Sequence, residues 1–478
     1  MRRISLLVIT ILLLSGLAGF GEELESREGF DSPFGFMPAE FDFEHARRAG
    51  AYWDRPFFEL FEWGMIEPEQ GRFNFHLTDR YILRAQSHGF HVLANIQPFA
   101  RWDQKLCHQD LPVVMSPMGP QTKGKPCNIE AYKNFVIKLV ERYDGDGQDD
   151  MPGLKYPIKC WEVANEPEMQ REPLVFFQGS PQDYFEILKA THEAVKEADS
   201  EAQVIQGGMA GMDRWMVSFW QKVFDLGAAS YFDIANIHSI GHGEHLNIPS
   251  FKKFLSQNNA SEKPFWVTEV QIEDRKRKRT PAEYAASLAR SYIFALANGA
   301  KKIFYVNLRL PEHLPPEEEG GPGFSDLSTL VDSSGNLTPL FYAHCTIASK
   351  LEDFQRVEKI KERVRGRTIL EGRYRFLKNN KAVYVLWGRG KLPSEIEGKV
   401  RVTDISGSEE ILTSDSIRLT SSPVFVEKIE PPSETLTVIQ VIDGDTCLLE
   451  DGQLIRYLGI NAPQRDEALF EEVRPSTP

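Results

Sequence analysis

The segment KCWEVANEP, Lys159–Pro167, joins an apolar run to an abrupt polar end. Its first half has the composition of a buried strand, whereas Asn165-Glu166-Pro167 is typical of the turn that ends one. The helical pattern SPQDYFEILKATHEAVKEADS, Ser180–Ser200, follows. The segment therefore predicts one strand–helix unit with a carboxylate at the carboxyl end of its strand.

The same alternation of apolar run and helical pattern occurs eight times before Gln355. The runs are continuous rather than alternating, as expected for parallel strands covered on both faces. Eight such units predict a closed (β/α)8 TIM barrel, an α/β fold. An open doubly wound sheet is the alternative, but no glycine-rich dinucleotide loop follows the first run. The eight runs lie at 33–37, 51–63, 90–102, 159–167, 203–211, 232–240, 264–272 and 301–310.

The pattern changes after the eighth unit. Short alternating segments separated by turn residues predict a small antiparallel β-domain. A Pro-Pro-Ser linker then introduces a short tail. We expect a signal peptide over 1–21, a catalytic barrel over 30–356, the β-domain over 357–430, and the linker with a truncated segment over 431–478.

The first residues, MRRISLLVITILLLSGLAGFGEE, combine two arginines, a short apolar run and small residues. This order predicts a signal peptide cleaved after Ala18 or Gly21, and hence export to the periplasm or the medium. An uncleaved anchor is the alternative, although the run is short for a membrane span. We expect no stable membrane association. The sequence does not indicate the oligomeric state.

The charge balance also limits the class of partner. The 478 residues include 55 basic and 69 acidic side chains, a net charge of −14. Because phosphate binding needs a positive face, this balance argues against nucleic acid as a partner.

Five cysteines are too few to form a disulfide framework in a chain of this size. Cys107 and Cys127 flank one polar loop and can pair in an oxidising compartment. Cys160 and Cys345 lie in apolar patterns, which predicts buried thiols.

Barrel enzymes carry their chemistry in the loops after the carboxyl ends of the strands. Glu166 ends the fourth predicted strand, and Glu269, in PFWVTEVQI, ends the seventh. A single glutamate in such a place is more often a solvated loop residue. Two of them at one mouth indicate a catalytic pair.

These residues also carry a family resemblance. Trp161–Pro167 (WEVANEP), Trp266–Glu269 (WVTE) and Phe61–Phe75 (FEWGMIEPEQGRFNF) resemble clan A of the glycoside hydrolases, families 39 and 5 most of all. The loop after the second strand also resembles that of families 42 and 10. The resemblance spans about residues 33 to 355, and it implies a retaining glycosidase without a cofactor. The eighth strand lacks the tryptophan that commonly forms the floor of the sugar site in this clan.

The resemblance implies roles for particular residues. Glu166 would be the general acid/base and Glu269 the nucleophile, two carboxyls with opposite protonation states. Asn165 would bind the sugar 2-hydroxyl, Arg55 would orient the nucleophile, and His238 would lie beside it. A surface arginine and a core histidine are the plain alternatives for the last two.

Aromatic side chains near the predicted strand ends are candidates for sugar contact. Trp102, and also Trp53 and Trp63, offer flat apolar faces on which a sugar can stack, although core packing is the alternative for each. Tyr305 or Asn307 is the candidate for the position of the missing tryptophan on the eighth strand.

Two charge clusters allow more than one interpretation. Asp144, Asp146 and Asp150 have spacing that suits a structural calcium site, but the loop lacks the closing glutamate of an EF-hand, so a solvated loop is favoured. The basic run EDRKRKR, Glu273–Arg279, is either a solvated loop or a contact for an anionic sugar.

The tail VIDGDTCLLEDGQLIRYLGINAPQ, Val441–Gln464, resembles the opening of the thermonuclease family, an OB-type fold. Asp445 and Arg456 match a calcium ligand and a phosphate-binding arginine of that family. Asn461 and Gln464 stand where that family has an acidic ligand and a glutamate base. An amide cannot serve as a base, so we expect a truncated segment without nuclease activity.

The leading hypothesis is an exported retaining glycoside hydrolase that acts on a β-linked oligo- or polysaccharide. A non-catalytic carbohydrate-binding barrel is the alternative. A nuclease acting through the tail is the least favoured.

Overall fold

A computed structural model describes residues 31–115, 119–272, 279–309, 328–379, 381–429, 438–441, 446–449 and 454–456. The chain divides between Lys428 and Ile429 into two compact units. The predicted signal peptide, the residues 273–278 of the basic run and most of the tail motif lie outside the described residues.

The strands, in chain order, are β1 (Phe34–Phe36), β2 (Trp53–Asp54), β3 (His91–Ile96), β4 (Cys160–Val163), β5 (Gln170–Arg171), β6 (Leu174–Val175), β7 (Gln203–Gln206), β8 (Ala235–Ile240), β9 (Phe265–Gln271), β10 (Ala300–Tyr305), β11 (Arg356–Arg365), β12 (Thr368–Lys378), β13 (Lys381–Trp387), β14 (Lys399–Asp404), β15 (Glu409–Thr413), β16 (Val424–Lys428), β17 (Val438–Val441), β18 (Thr446–Leu449) and β19 (Leu454–Arg456).

The helices are α1 (Phe43–Arg48), α2 (Trp63–Ile66), α3 (His76–Ser87), α4 (Arg101–Cys107), α5 (Ile129–Glu141), α6 (Pro181–Ala198), α7 (Arg214–Asp225), α8 (Ile248–Gln257), α9 (Pro281–Ala297) and α10 (Pro339–Leu351). Ser180 and Thr280 begin α6 and α9 with capping boxes, each followed by proline. Among the described residues, no helix is both long enough and apolar enough to cross a membrane.

Eight parallel strands form the predicted barrel, in the order β7-β4-β3-β2-β1-β10-β9-β8. Parallel bridges from Ile205 to Ile234 and from Met209 to Ile237 join the two ends of this order. The (β/α)8 barrel is therefore confirmed, and the open doubly wound sheet is excluded because its edge strands would not meet.

The second strand–helix unit of the barrel differs from the sequence expectation. The strand expected over 51–63 is only Trp53–Asp54, and a 3-10 helix and α2 occupy the rest. Helix α3 begins at His76, and the hydroxyl of Thr78 in its first turn donates to the Leu60 carbonyl.

The antiparallel sheet after the barrel is also confirmed, with strand order β11-β12-β13-β16-β14-β15. It belongs to the same compact unit as the barrel. One face adds Tyr374, Phe376 and Trp387 to the main hydrophobic core, while the other face has a smaller core around Tyr384 and Leu386. A separate three-stranded antiparallel sheet, β17-β18-β19, lies in the second unit. Its likeness to an OB-type segment stays a prediction.

Four of the five cysteines occur as one disulfide and two buried thiols. Cys107 and Cys127 form a disulfide that joins α4 to the start of α5. Cys160 and Cys345 are buried free thiols.

Candidate active site

Arg55 lies directly after β2 and is fully buried at the carboxyl end of the barrel strands. Its guanidinium binds both oxygens of Glu162, with Nε to Oε2 at 2.6 Å and Nη2 to Oε1 at 3.1 Å. Nη1 donates to Glu269 Oε1 at 2.9 Å, and Nη2 donates to Asn165 Oδ1 at 2.9 Å. One cation therefore joins the residues of β4 to the carboxylate on β9.

The chain leaves β4 in an uncommon conformation. Ala164 and Glu166 have φ values of 59° and 38°, in the left-handed region that favours glycine. Such residues cost on the order of 1–3 kcal/mol each and occur most often where function requires a particular side-chain direction. Here they turn Asn165 toward Arg55 and Glu166 toward β8.

A β-bulge in β9 brings two adjacent side chains into the site. Ile237 pairs with Val267, but the next residue, His238, pairs with Glu269, so Thr268 is the extra residue. A bulge re-aims side chains that would otherwise alternate between faces. Thr268 and Glu269 therefore both contact His238.

Glu166 and Glu269 both approach Nδ1 of the His238 imidazole. His238 Nδ1 is 2.7 Å from Glu166 Oε1 and 3.6 Å from Glu269 Oε1. One oxygen of each glutamate lies within 4.8 Å of the other. Retaining glycosidases hold their two carboxyl groups about 5–5.5 Å apart, and this spacing suits that chemistry.

A chain of hydrogen bonds assigns the protons around His238. The Asn236 amide donates to Glu162 Oε1 at 2.8 Å, so its oxygen faces Thr268 and accepts the Thr268 hydroxyl at 2.8 Å. That hydroxyl must then accept from His238 Nε2, at 2.9 Å. A neutral imidazole with its hydrogen on Nε2 has an acceptor at Nδ1. The Glu166 carboxyl therefore donates its own proton to Nδ1.

The ionisation of the site agrees with that assignment. Burial raises the pKa of Glu166 to about 8, the Arg55 charge opposes this rise, and the Glu162 charge adds to it. Burial also lowers the pKa of His238, which keeps the imidazole neutral.

The pKa of Glu269 is raised as well, by its burial. His238 and Arg55 act in the opposite direction and favour its charged form. Arg55 therefore contacts Glu269 directly, and its charge opposes the effect of burial on the pKa of that carboxyl group.

No family model and no curated protein matches the chain. Solved structures do match. The fold is shared with solved glycoside hydrolases. A family 39 glycoside hydrolase from the gut symbiont Bacteroides cellulosilyticus WH2 is 19% identical with a TM-score of 0.61, over 83% of this chain and 80% of that one. A β-xylosidase from Caulobacter crescentus CB15 is 12% identical with a TM-score of 0.56, over 85% and 97%. A glucosidase from Croceicoccus marinus is 12% identical with a TM-score of 0.55, over 86% and 98%. At these identities the likeness shows the fold alone.

The aromatic candidates lie away from the network around Arg55. Trp102 donates from Nε1 to the Glu67 carbonyl and packs its ring against Trp63 in the core. Tyr305 is fully buried, and its hydroxyl donates to the Ser328 carbonyl. Trp102 is half-buried and Tyr305 is fully buried, and their contact with sugar stays a prediction. Trp53 belongs to a cluster near the amino ends of the strands, opposite the mouth.

The three aspartates proposed for calcium do converge. One oxygen from each of Asp144, Asp146 and Asp150 lies within 4.8 Å of the others. All three carboxylates accept hydrogen bonds from amides of the same loop, such as Gly147 N to Asp150 Oδ2 at 2.7 Å. The loop is thus held by its own backbone, and calcium stays a prediction.

Sequence reasoning missed Glu162, Asn236 and Thr268. Each is fully buried. Glu162 binds Arg55, Thr268 binds His238, and Asn236 joins Glu162 to Thr268. A charge in the middle of the apolar run CWEV was the available signal for Glu162. Asn236 and Thr268 carried none, since their role depends on the register of β8 and β9.

Proposed function

We propose that the chain is a retaining glycoside hydrolase that cleaves β-linked glycosides, with Glu166 as acid/base and Glu269 as nucleophile. The observation that carries this proposal is a pair of buried carboxyl groups, within 4.8 Å, at the ends of the fourth and seventh barrel strands. Their surroundings differ, since Glu166 donates to His238 while Glu269 binds the Arg55 cation. Such a difference separates an acid from a nucleophile.

The chemistry follows from these positions. Glu166 gives its proton to the glycosidic oxygen while the Glu269 carboxylate attacks the anomeric carbon, so the glycosidic bond breaks and a glycosyl ester forms. The aglycone leaves as an alcohol. Glu166, now a carboxylate, takes a proton from water as the water attacks the ester, which restores both groups. The Asn165 amide nitrogen, with its oxygen held by Arg55, is oriented to donate to the sugar 2-hydroxyl.

The substrate class is an oligo- or polysaccharide, and the proposed mechanism uses no cofactor. Because the fold is shared with a β-xylosidase and a glucosidase, aryl β-xylosides and β-glucosides are the first substrates to test. Sugar identity and endo or exo action are left to the experiment.

The test compares wild type, Glu166→Ala and Glu269→Ala on aryl glycosides with good and poor leaving groups. We expect Glu166→Ala to keep activity on dinitrophenyl glycosides and to lose at least about a hundredfold on phenyl glycosides, because only poor leaving groups need the acid. Glu269→Ala should lose activity on both. Added azide should restore turnover in both variants. The glycosyl azide formed by Glu269→Ala should have inverted anomeric configuration, and the one formed by Glu166→Ala should have retained configuration.

Glu130→Ala, which removes an exposed carboxylate on α5, is the matched control and should keep wild-type rates. Wild-type rates in both active-site variants would overturn the assignment. Sugar binding without turnover by the wild type would favour the carbohydrate-binding barrel instead.

We also propose export, for which the Cys107–Cys127 disulfide is support from the folded chain, since such bonds persist in oxidising compartments. Expression with residues 1–21 intact should place the processed protein in the periplasm or the medium. Recovery of the unprocessed protein from the cytoplasm or the membrane would contradict this proposal.

A further inference from the structure

Two half-buried phenylalanine rings lie beside the proposed reaction centre. Phe58, in the loop after β2, has its ring 5.4 Å from the Arg55 guanidinium. Phe176, just after β6, packs edge-on against Phe58 at 5.9 Å. Because Arg55 binds Glu269 directly, Phe58 is one side chain away from the carboxylate that would attack the sugar.

Two polar side chains, Lys123 and Glu62, lie next to these rings, and we call the four side chains together the wall. The Lys123 ammonium lies 5.9 Å from the Phe176 ring and donates to the Val175 carbonyl at 2.9 Å. Among the described residues it forms no ion pair, which leaves two of its three hydrogens for a ligand. Lys123 comes from the loop closed by the Cys107–Cys127 disulfide, so the covalent link restrains the segment that carries it.

Glu62 supplies a buried acceptor next to Lys123. Its side chain lies where the loop after β2 bridges to Gln97, and Oε1 accepts from Gln121 Nε2 at 2.6 Å. The other oxygen has no hydrogen bond to a described residue. Burial raises the pKa of Glu62, and the nearby Lys123 charge lowers it.

A sugar ring presents apolar C–H faces and a rim of hydroxyl groups. Half-buried aromatic rings suit the faces, while an ammonium and a carboxyl group suit the rim. Glu59 lies close enough to act electrostatically on Lys123 together with Glu62. Burial raises the pKa of both carboxyl groups, that of Glu62 to about 7. Above that pH, two carboxylates against one ammonium would repel an acidic sugar, so the wall favours an uncharged ring.

We propose that Phe58, Phe176, Lys123 and Glu62 form a subsite for an uncharged sugar ring of the substrate. The proposal rests on the glycosidase function proposed above. Of its two rings, Phe58 adjoins Arg55 and Phe176 adjoins Phe58.

The experiment measures kcat and KM for Phe58→Ala, Lys123→Met and Glu62→Gln on the aryl glycoside that the wild type hydrolyses best. We expect KM to rise about tenfold or more for Phe58→Ala and Lys123→Met, with a smaller change in kcat. Phe73→Ala and Lys125→Met are the controls: Phe73 also lies under a lysine, and Lys125 is on the same loop but pairs with Glu186. Both should keep the wild-type KM.

A second measurement tests the charge preference. Each substrate pair joins a neutral aryl glycoside to the acidic sugar of the same configuration: glucoside with glucuronide, or galactoside with galacturonide. The pair is chosen by the sugar that the wild type hydrolyses. We expect the wild type to have a higher kcat/KM for the neutral member than for the acidic one. In Glu62→Gln the ratio of the two kcat/KM values should fall at least about tenfold, because the substitution removes a carboxylate. An unchanged KM in the wall variants, or a wild-type preference for the acidic sugar, would overturn the subsite. A wild type that hydrolyses no aryl glycoside would instead refute the glycosidase proposal.

Discussion

At the scale of single residues, the proton on Glu166 depends on which nitrogen of His238 carries hydrogen. Asn236 and Thr268 direct the Nε2 hydrogen away from Glu166, so Nδ1 accepts. A hydrogen bond to the neutral form of a carboxyl group favours that form, in addition to burial. The clan resemblance assigned His238 to the nucleophile, but its shorter contact is to Glu166.

This arrangement predicts a pH profile. The proposed mechanism needs Glu166 protonated for its first step, so kcat/KM should fall as pH rises through about 8, the raised pKa of Glu166. In His238→Leu the protonated form loses its acceptor, so this alkaline limb should move to lower pH by about one unit, the equivalent of ~1.4 kcal/mol.

The control is His344→Leu, which removes another fully buried imidazole away from the site and should leave the limb in place. A limb that moved to higher pH in His238→Leu would show that His238 donates to an ionised Glu166.

At the scale of elements, short strands and the residues after them position the site. The fifth barrel strand, β7, ends before Gly207-Gly208, and the bulge in β9 gives Thr268 its inward direction. An added Cβ at Gly208 would lie 1.9 Å from His238 Nε2. Gly208 thus provides the space that the imidazole occupies.

Gly208→Ala should therefore displace His238 and lower kcat/KM at least about tenfold, equivalent to ~1.4 kcal/mol in the barrier. The alkaline limb should move with it, because the Glu166 contact is lost. Steady-state kinetics across pH, with a thermal melt to confirm folding, would measure both effects.

Gly147→Ala is the control. Its backbone is left-handed, with φ of +94°, but the added methyl group would meet no atom within 4 Å. It should cost about 1–2 kcal/mol of stability and leave kcat/KM unchanged. Wild-type kinetics in Gly208→Ala would contradict the assigned role.

At the scale of the whole molecule, the antiparallel sheet packs on the barrel through a buried ion pair. Glu244, in the loop after β8, accepts from Arg290 Nη2 at 2.5 Å and from the Ile369 amide at 2.8 Å. Arg290 also donates to the Ser421 carbonyl at 2.5 Å. One carboxylate thus joins the loop that follows His238 to helix α9 and to β12.

Glu244→Gln should destabilise the protein by about 3 kcal/mol, because it leaves the Arg290 cation buried with a weaker partner. We expect a lower Tm with one cooperative transition, since barrel and sheet share a core. Glu69→Gln, which breaks an exposed pair with Arg72, should leave Tm unchanged. Separate transitions for barrel and sheet, or an unchanged Tm in Glu244→Gln, would show that the two parts are not joined in this way.

The fold and the two strand-end glutamates could be predicted from sequence for a local reason. Eight apolar runs with helices between them have few closed solutions, and a barrel puts every strand end at one mouth. Glu166 and Glu269 follow from their own strands. The surroundings of the aromatic candidates did not follow, because an aromatic residue at a strand end has the same sequence signature in the core as in a cleft. Tyr305, for example, is fully buried.

The sequence by itself determined the barrel, the sheet that follows it and the two strand-end glutamates, because each depends on local periodicity and spacing. That Cys107 and Cys127 pair was decided by the folded chain. Only the tertiary structure decided which side chains meet. Arg55 binds Glu162 across 107 positions of the chain, and the Thr268 bulge depends on the register with β8. Long-range contacts and one-residue shifts of register leave no periodic trace, so the proton network of the site became visible only in the folded chain.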